Sequence, residues 1–185
     1  MNLNSITIRE TEECDFSDII KIETSAFKTD SEAKLTAALL TDQSAEPILS
    51  LLAFHEQEVV GHILFTKGYF YEEKEEEPDI QILAPLAVKP QWQRKRIGGQ
   101  LIKKGLQILK ERGTEIVFVL GHIDYYPKYG FINDATKFGF YTPYPIPEKV
   151  KDAWMVQELL PGMLDRYSGK IRCCDEMNRE EHWRE

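Results

Sequence analysis

Leu83–Gly99 reads LAPLAVKPQWQRKRIGG. It joins the end of an apolar run (Ile80–Val88, IQILAPLAV), a loop carrying Pro90, and the Gly98-Gly99 pair at the start of a helix. The apolar run predicts a strand buried on both faces. Pro85 within it removes one ladder hydrogen bond, which fits either a bulge or a place where the sheet stops pairing. The predicted helix start presents unpaired N–H groups and the positive end of the helix dipole. Arg94, Lys95 and Arg96 set three consecutive positive charges beside it. Together these features make a local trap for a phosphate or pyrophosphate. The competing reading is a basic surface loop before an ordinary helix, with the two glycines only allowing close packing. Neither Gly-x-x-x-x-Gly-Lys-Ser/Thr nor Gly-x-Gly-x-x-Gly is present, so a P-loop or a dinucleotide fold is unsupported.

On the N-terminal side, Ser5–Arg9 reads as a short strand. Phe16, Ile19, Ile20, Ile22 and Phe27 then form an apolar stripe at helical spacing. Thr29-Asp30-Ser31-Glu32 has the form of a capping box and predicts a second helix through Leu39-Leu40, burying Leu35 and Leu39. Ile48–His55 and Val59–Tyr71 predict an antiparallel hairpin in which Gly61 and Gly68 mark bends or close backbone approach. Glu72–Asp79, EEKEEEPD, is read as a solvated hairpin tip.

On the C-terminal side a helix is expected over Gly98–Arg112, stopped by Gly113. A buried strand follows at Glu115–Leu120, then a helical turn at Tyr125–Tyr129 ended by Gly130. Further strands are expected at Ala153–Leu160 and Lys170–Cys174. The order β-α-α-β-β-β-α-β-α-β-β implies an α/β fold of the α+β kind. Its central sheet is mixed, mostly antiparallel and flanked by helices.

The 185 residues suit one domain, 1–185, with a core over about residues 5–160 and a C-terminal extension at 161–185. A formal charge of -8 disfavours nucleic acid as a partner, since phosphate contacts need a concentrated basic face. It does not exclude one small anion held by a local cluster. Three cysteines rule out a secreted disulfide framework, and the vicinal Cys173-Cys174 pair with His182 matches no common zinc spacing, so no metal is expected. No apolar run approaches a membrane span, and MNLNSITIRETEE lacks the pattern of a signal peptide. A cytoplasmic protein without membrane attachment is expected, as monomer or homodimer.

The ordered set of motifs resembles the GCN5-related N-acetyltransferase (GNAT) superfamily, and is most similar to its bacterial YhbS-like branch. Its pyrophosphate loop, Gln/Arg-x-x-Gly-x-Gly/Ala, corresponds to Gln93-Arg94-Lys95-Arg96-Ile97-Gly98, preceded by Leu86-Ala87-Val88. The likeness extends to LSLLA, VVGHILF, LGHIDYYPKYGF and the proline-rich connection with its final strand, from about Ile6 to Cys173. One departure stands out: Arg96 replaces the first loop glycine. At positive φ it would cost about 1 kcal/mol or more; otherwise its guanidinium is free to serve a phosphate.

The resemblance implies a GNAT-type acyl-CoA N-acyltransferase fold with acetyl-CoA as cofactor, bound where central strands splay. Leu86, Ala87 and Val88 would offer backbone groups to the pantetheine arm. Gln93, Arg94, Lys95, Arg96, Ile97, Gly98 and Gly99 would wrap the pyrophosphate. The expected reaction is acetyl transfer to a primary amine of a small molecule or peptide, by direct attack in a ternary complex. A noncatalytic CoA-binding or regulatory module is the alternative. The family's usual acid is the Tyr of Tyr-x-x-x-Gly-Phe, met here by Tyr126 through Phe131. Tyr126 is therefore both a catalytic and a cofactor-site candidate, with Tyr125 and Tyr129 as pocket wall or core. No base stands out, but His122, just past a strand, is a candidate to face the cleft. Asp79, Gln81 and Glu72–Glu77 are expected to border the acceptor side, His62 to be a hydrogen-bonded structural group, and Glu23 to face solvent.

Overall fold

The computed structural model describes residues 6–27 and 29–183. The first strand, β1 (Ile6–Glu10), matches expectation except at Ser5, which lies outside the described residues. Two helices follow, α1 (Phe16–Ala26) and α2 (Ser31–Leu39). The capping box ahead of α2 does not form as expected: the Thr29 hydroxyl donates to the Glu32 carboxylate at 3.1 Å, and the N-cap residue is Asp30. Then come β2 (Leu49–His55), β3 (Glu58–Phe70) and β4 (Ile80–Val88), the last with the predicted bounds.

Helix α3 (Ile97–Glu111) leads into β5 (Ile116–Leu120). Two short strands, β6 (Ile132–Asn133) and β7 (Phe140–Tyr141), have no counterpart in the sequence reading, being too short to show a period. The chain ends through β8 (Trp154–Glu158), the single-turn α4 (Met163–Arg166) and β9 (Gly169–Cys173).

The sheet order is β1-β2-β3-β4-β5-β8-β6. Within it only β4 and β5 run parallel, so the expected mixed, mostly antiparallel sheet is found. Strand β3 outruns β2, and β9 pairs with its free end at Gly68–Phe70. The sheet is covered on both faces. On one, Leu101, Ile102, Leu106 and Leu109 of α3 pack on Ile63, Phe65, Val117 and Val119. Each such side chain contributes about 1.5–3 kcal/mol on leaving water. On the other, Leu64, Ile82, Phe118 and Trp154 pack with Leu39 of α2 and with Ile171, Met177 and Trp183 after residue 160.

Gly61 marks close approach: a Cβ there would stand 3.0 Å from Leu101 Cδ1 and 3.2 Å from the Ala87 carbonyl. Glu23 corrects the expectation of a solvent-facing residue. It is 0% exposed, and His62 Nδ1 lies 2.5 Å from its carboxylate. The other imidazole nitrogen of His62 is 3.0 Å from the Ser50 hydroxyl, so His62 is the structural group expected.

Candidate active site

The β4–β5 ladder decides where the site lies. Its parallel pairing runs from Ile80/Ile116 to Leu83/Val119 and stops there. Beyond that point β5 stays with β8, Leu120 facing Trp154, while β4 stays with β3 as far as Val88. The two strands therefore part at Ala84-Pro85. The β3–β4 register also shifts here, Ile63 facing Leu86 and Phe65 facing Leu83, so β4 carries an extra residue. Both readings of Pro85 hold: it sits in a bulge and at the end of pairing. The edge of β4 that faces away from β3 after Leu83 is left without a ladder, which frees its polar groups for a ligand.

A cleft of about 760 Å³ occupies this gap. Ile82–Leu86 of β4 form one side, and Leu120, Gly121, His122 and Tyr126 the other. Thus Leu86, His122 and Tyr126, singled out from sequence, meet in one cavity. Tyr126 is 8% exposed, and its ring stands edge-on to Tyr125 and Phe131, with centroids at 5.3 Å and 5.8 Å. Its hydroxyl makes no hydrogen bond among the described residues. Burial pushes its pKa up to about 12, so the phenol holds its proton at neutral pH. His122 is exposed at the cleft, and its carbonyl accepts the Tyr125 N–H at 3.0 Å.

Beyond β4 lies the loop to α3. Gln93 Nε2 donates to the Val88 carbonyl at 3.1 Å, tying the loop to the strand end. Arg94 and Arg96 both take left-handed backbone conformations, with φ of 61° and 64°. Left-handed residues so spaced can turn neighbouring N–H groups toward a bound anion. The first turn of α3 adds N–H groups with no partner inside the helix. Lys95 Nζ lies 4.5 Å from the Trp92 ring centroid, so this side chain leans back on the protein. Ile97 is a core side chain, 1% exposed, and only its backbone can serve a ligand.

Gly98 and Gly99 lie under two phenols. A Cβ at Gly98 would stand 2.5 Å from the Tyr125 hydroxyl, and one at Gly99 would collide with the Tyr129 hydroxyl. The glycines are thus required for close packing as well as for an open helix end. Tyr125 is raised further than Tyr126, by burial first and by its hydrogen bond with Tyr129 second. Extended backbone at β4, a basic loop and helix N-terminus past its end and a buried phenol across the gap fit an elongated acyl-CoA.

The acidic run does not behave as expected. None of Glu72–Glu77 lines the cleft. Asp79 is held by Lys67 at 2.5 Å and by the Thr114 hydroxyl at 2.7 Å, and Gln81 is buried, donating to the Pro47 carbonyl. The reason is topological: this run enters β4 before Ile80, whereas the strands part only after Leu83. The carboxylates that do line the cleft are Glu32, Glu176 and Glu181. They come from α2 and the C-terminal segment, as do the cleft residues Leu35, Met177, His182 and Trp183, which sequence reasoning missed.

Residues 10–131 match the family model described as "Acetyltransferase (GNAT) family". The chain is 47% identical over 175 residues to "Uncharacterized N-acetyltransferase YjhQ" of Escherichia coli (strain K12), covering 95% of this chain and 96% of that protein. It superposes with a TM-score of 0.84, at 27% identity, on the GNAT family N-acetyltransferase YhbS from Escherichia coli in complex with CoA, over 95% and 93% of the two chains. A GNAT family acetyltransferase from Brucella melitensis in complex with acetyl-CoA shares the fold, with a TM-score of 0.71 and 24% identity over 93% and 97%.

Proposed function

The chain belongs to the GNAT family of acetyltransferases, and on that premise we propose that it moves the acetyl group of acetyl-CoA onto a primary amine of a small molecule or peptide. The observation that carries this reading is the parted β4–β5 pair, with a basic loop and a helix N-terminus past one strand and Tyr126 across the gap. Bound acetyl-CoA supplies a thioester whose carbonyl carbon accepts the amine lone pair and whose sulfur departs as thiolate. Backbone groups of Leu86, Ala87 and Val88 would hold the pantetheine arm. N–H groups of the loop from Arg94 to Gly99, with the exposed Arg94 and Arg96 guanidinium groups, would hold the pyrophosphate.

Tyr126 is assigned the proton for the leaving sulfur. A phenol is neutral at neutral pH and can give its proton to the sulfur as a thiolate forms; burial makes Tyr126 a weaker acid, so the proton moves only as charge builds on the departing sulfur. His122, at the same cleft, is assigned the proton that the attacking amine gives up. Direct attack is favoured because no cysteine lines the cleft: Cys14 is exposed elsewhere, and Cys173 and Cys174 are buried in the core behind its wall. Among the described residues no helix is long and apolar enough to cross a membrane, and the cytoplasm is the setting we infer.

Calorimetric titration with acetyl-CoA and a thiol-release assay with an amine panel test this. The wild type is expected to bind acetyl-CoA at one site and release thiol only with an amine present. Tyr126→Phe is expected to lower kcat on the order of 100-fold and leave acetyl-CoA affinity nearly unchanged. Absence of acetyl-CoA binding would sink the reading, unchanged turnover would remove Tyr126, and a covalent acetyl-enzyme in intact-mass spectra would replace direct attack.

A further inference from the structure

Resting on the acetyl-transfer reading above, we propose that the C-terminal segment Glu176–Trp183 builds an acceptor subsite for a primary amine carried on an apolar, aromatic body. The cleft is wider than a thioester needs, and its surplus wall is apolar. Phe27 after α1, Leu35 on α2, and Met177 and Trp183 of the tail line it together with Leu120 of β5 and Trp154 of β8.

This wall is fixed in place before any ligand arrives. The Glu176 N–H donates to Asp42 at 2.9 Å, and the Asp175 N–H to the Ser44 hydroxyl at 2.7 Å. Trp183 Nε1 donates to the Met177 carbonyl at 2.9 Å, while its ring stands edge-on to Trp154 with centroids 5.7 Å apart. A rigid apolar wall can bind an apolar body without a large ordering cost.

Charge and one orphaned atom define the polar end. Glu32, Glu176 and Glu181 line the cleft against Lys34 and Arg179. Arg179 is already engaged, at 3.0 Å from Glu176 and 2.8 Å from Glu181, so it is poorly placed to attract an anionic acceptor. His182 Nε2 is buried without a hydrogen bond among the described residues, and Glu176 Oε1 is 3.7 Å away. A buried polar atom in that state calls for a partner. The N–H of an amine, drawn by the surplus carboxylate, is the partner that fits.

Phenethylamine, ethanolamine and spermidine are the probes, each assayed with acetyl-CoA and each titrated alone against intrinsic tryptophan emission, which Trp154 and Trp183 report from the cleft. Phenethylamine is expected to show kcat/KM about 100-fold above ethanolamine, the worth of burying one phenyl group. It is also expected to give a saturable emission change without acetyl-CoA. His182→Ala should raise the KM for phenethylamine about tenfold, with the KM for acetyl-CoA unmoved, and His182→Asn should restore part of the loss. Equal use of the three amines, preference for spermidine, or no saturable emission change with phenethylamine would overturn the subsite. Saturable phenethylamine binding without acetyl transfer would uphold the subsite and overturn the acetyl-transfer reading instead.

Discussion

Arg96 stands as N-cap of α3 with φ 64° and ψ 11°, a conformation in which its Cβ crowds the following backbone. Arg94, two residues earlier, is likewise left-handed at φ 61°. The loop thus keeps the backbone path that glycine would favour and accepts side chains there, gaining two exposed guanidinium groups beside a helix N-terminus. Arg96→Gly is expected to raise unfolding free energy by roughly 0.5–1 kcal/mol, the strain relief less the added freedom of the unfolded chain. Arg96→Ala keeps the Cβ and should bring no such gain, so a pair of urea unfolding curves separates backbone strain from the loss of charge. Both variants should bind acetyl-CoA more weakly than wild type by a similar factor. Equal stability of the glycine and alanine variants would show that the left-handed backbone costs nothing here.

At the scale of elements, α1 is clamped to the sheet by one buried polar chain running from Glu23 through His62 to Ser50. Burial raises the Glu23 pKa, and the hydrogen bond with His62 pulls it back. Its second carboxylate oxygen has no partner among the described residues, so the group leans on that imidazole. Glu23→Ala leaves His62 Nδ1 unmatched inside the protein and should cost about 3 kcal/mol in chemical denaturation. Glu23→Gln keeps a hydrogen-bonding group and should lose less; equal losses would mean that volume, not the polar chain, matters. The helix itself was legible from its apolar stripe. The burial of Glu23 was not, for a carboxylate on a helix is expected to face water, although it lies four residues after Ile19 and on the same face. Its partner, on a strand 39 positions away, has no local signature.

Across the whole molecule, the strands of greatest apolar content and the long helix were readable because period and turn residues agree there. IQILAPLAV at Ile80–Val88 and the face of α3 are the clearest cases. The cofactor half of the candidate site shares that legibility, for it is built from contiguous chain between Leu83 and Gly99. The acceptor half was not legible, because it joins α2 to a tail that lacks periodicity. Met177 and Trp183 are both buried, yet in sequence Met177 stands between Glu176 and Asn178, and Trp183 between His182 and Arg184, so no apolar run announces the wall. We place acetyl-CoA in the gap between β4 and β5. A crystal structure with CoA bound tests it most directly. The predicted result places the pantetheine amides against the backbone of Leu86–Val88, the pyrophosphate on N–H groups between Arg94 and Gly99, and the sulfur beside the Tyr126 hydroxyl. CoA seated outside the gap, or a phosphate held away from that loop, would contradict it.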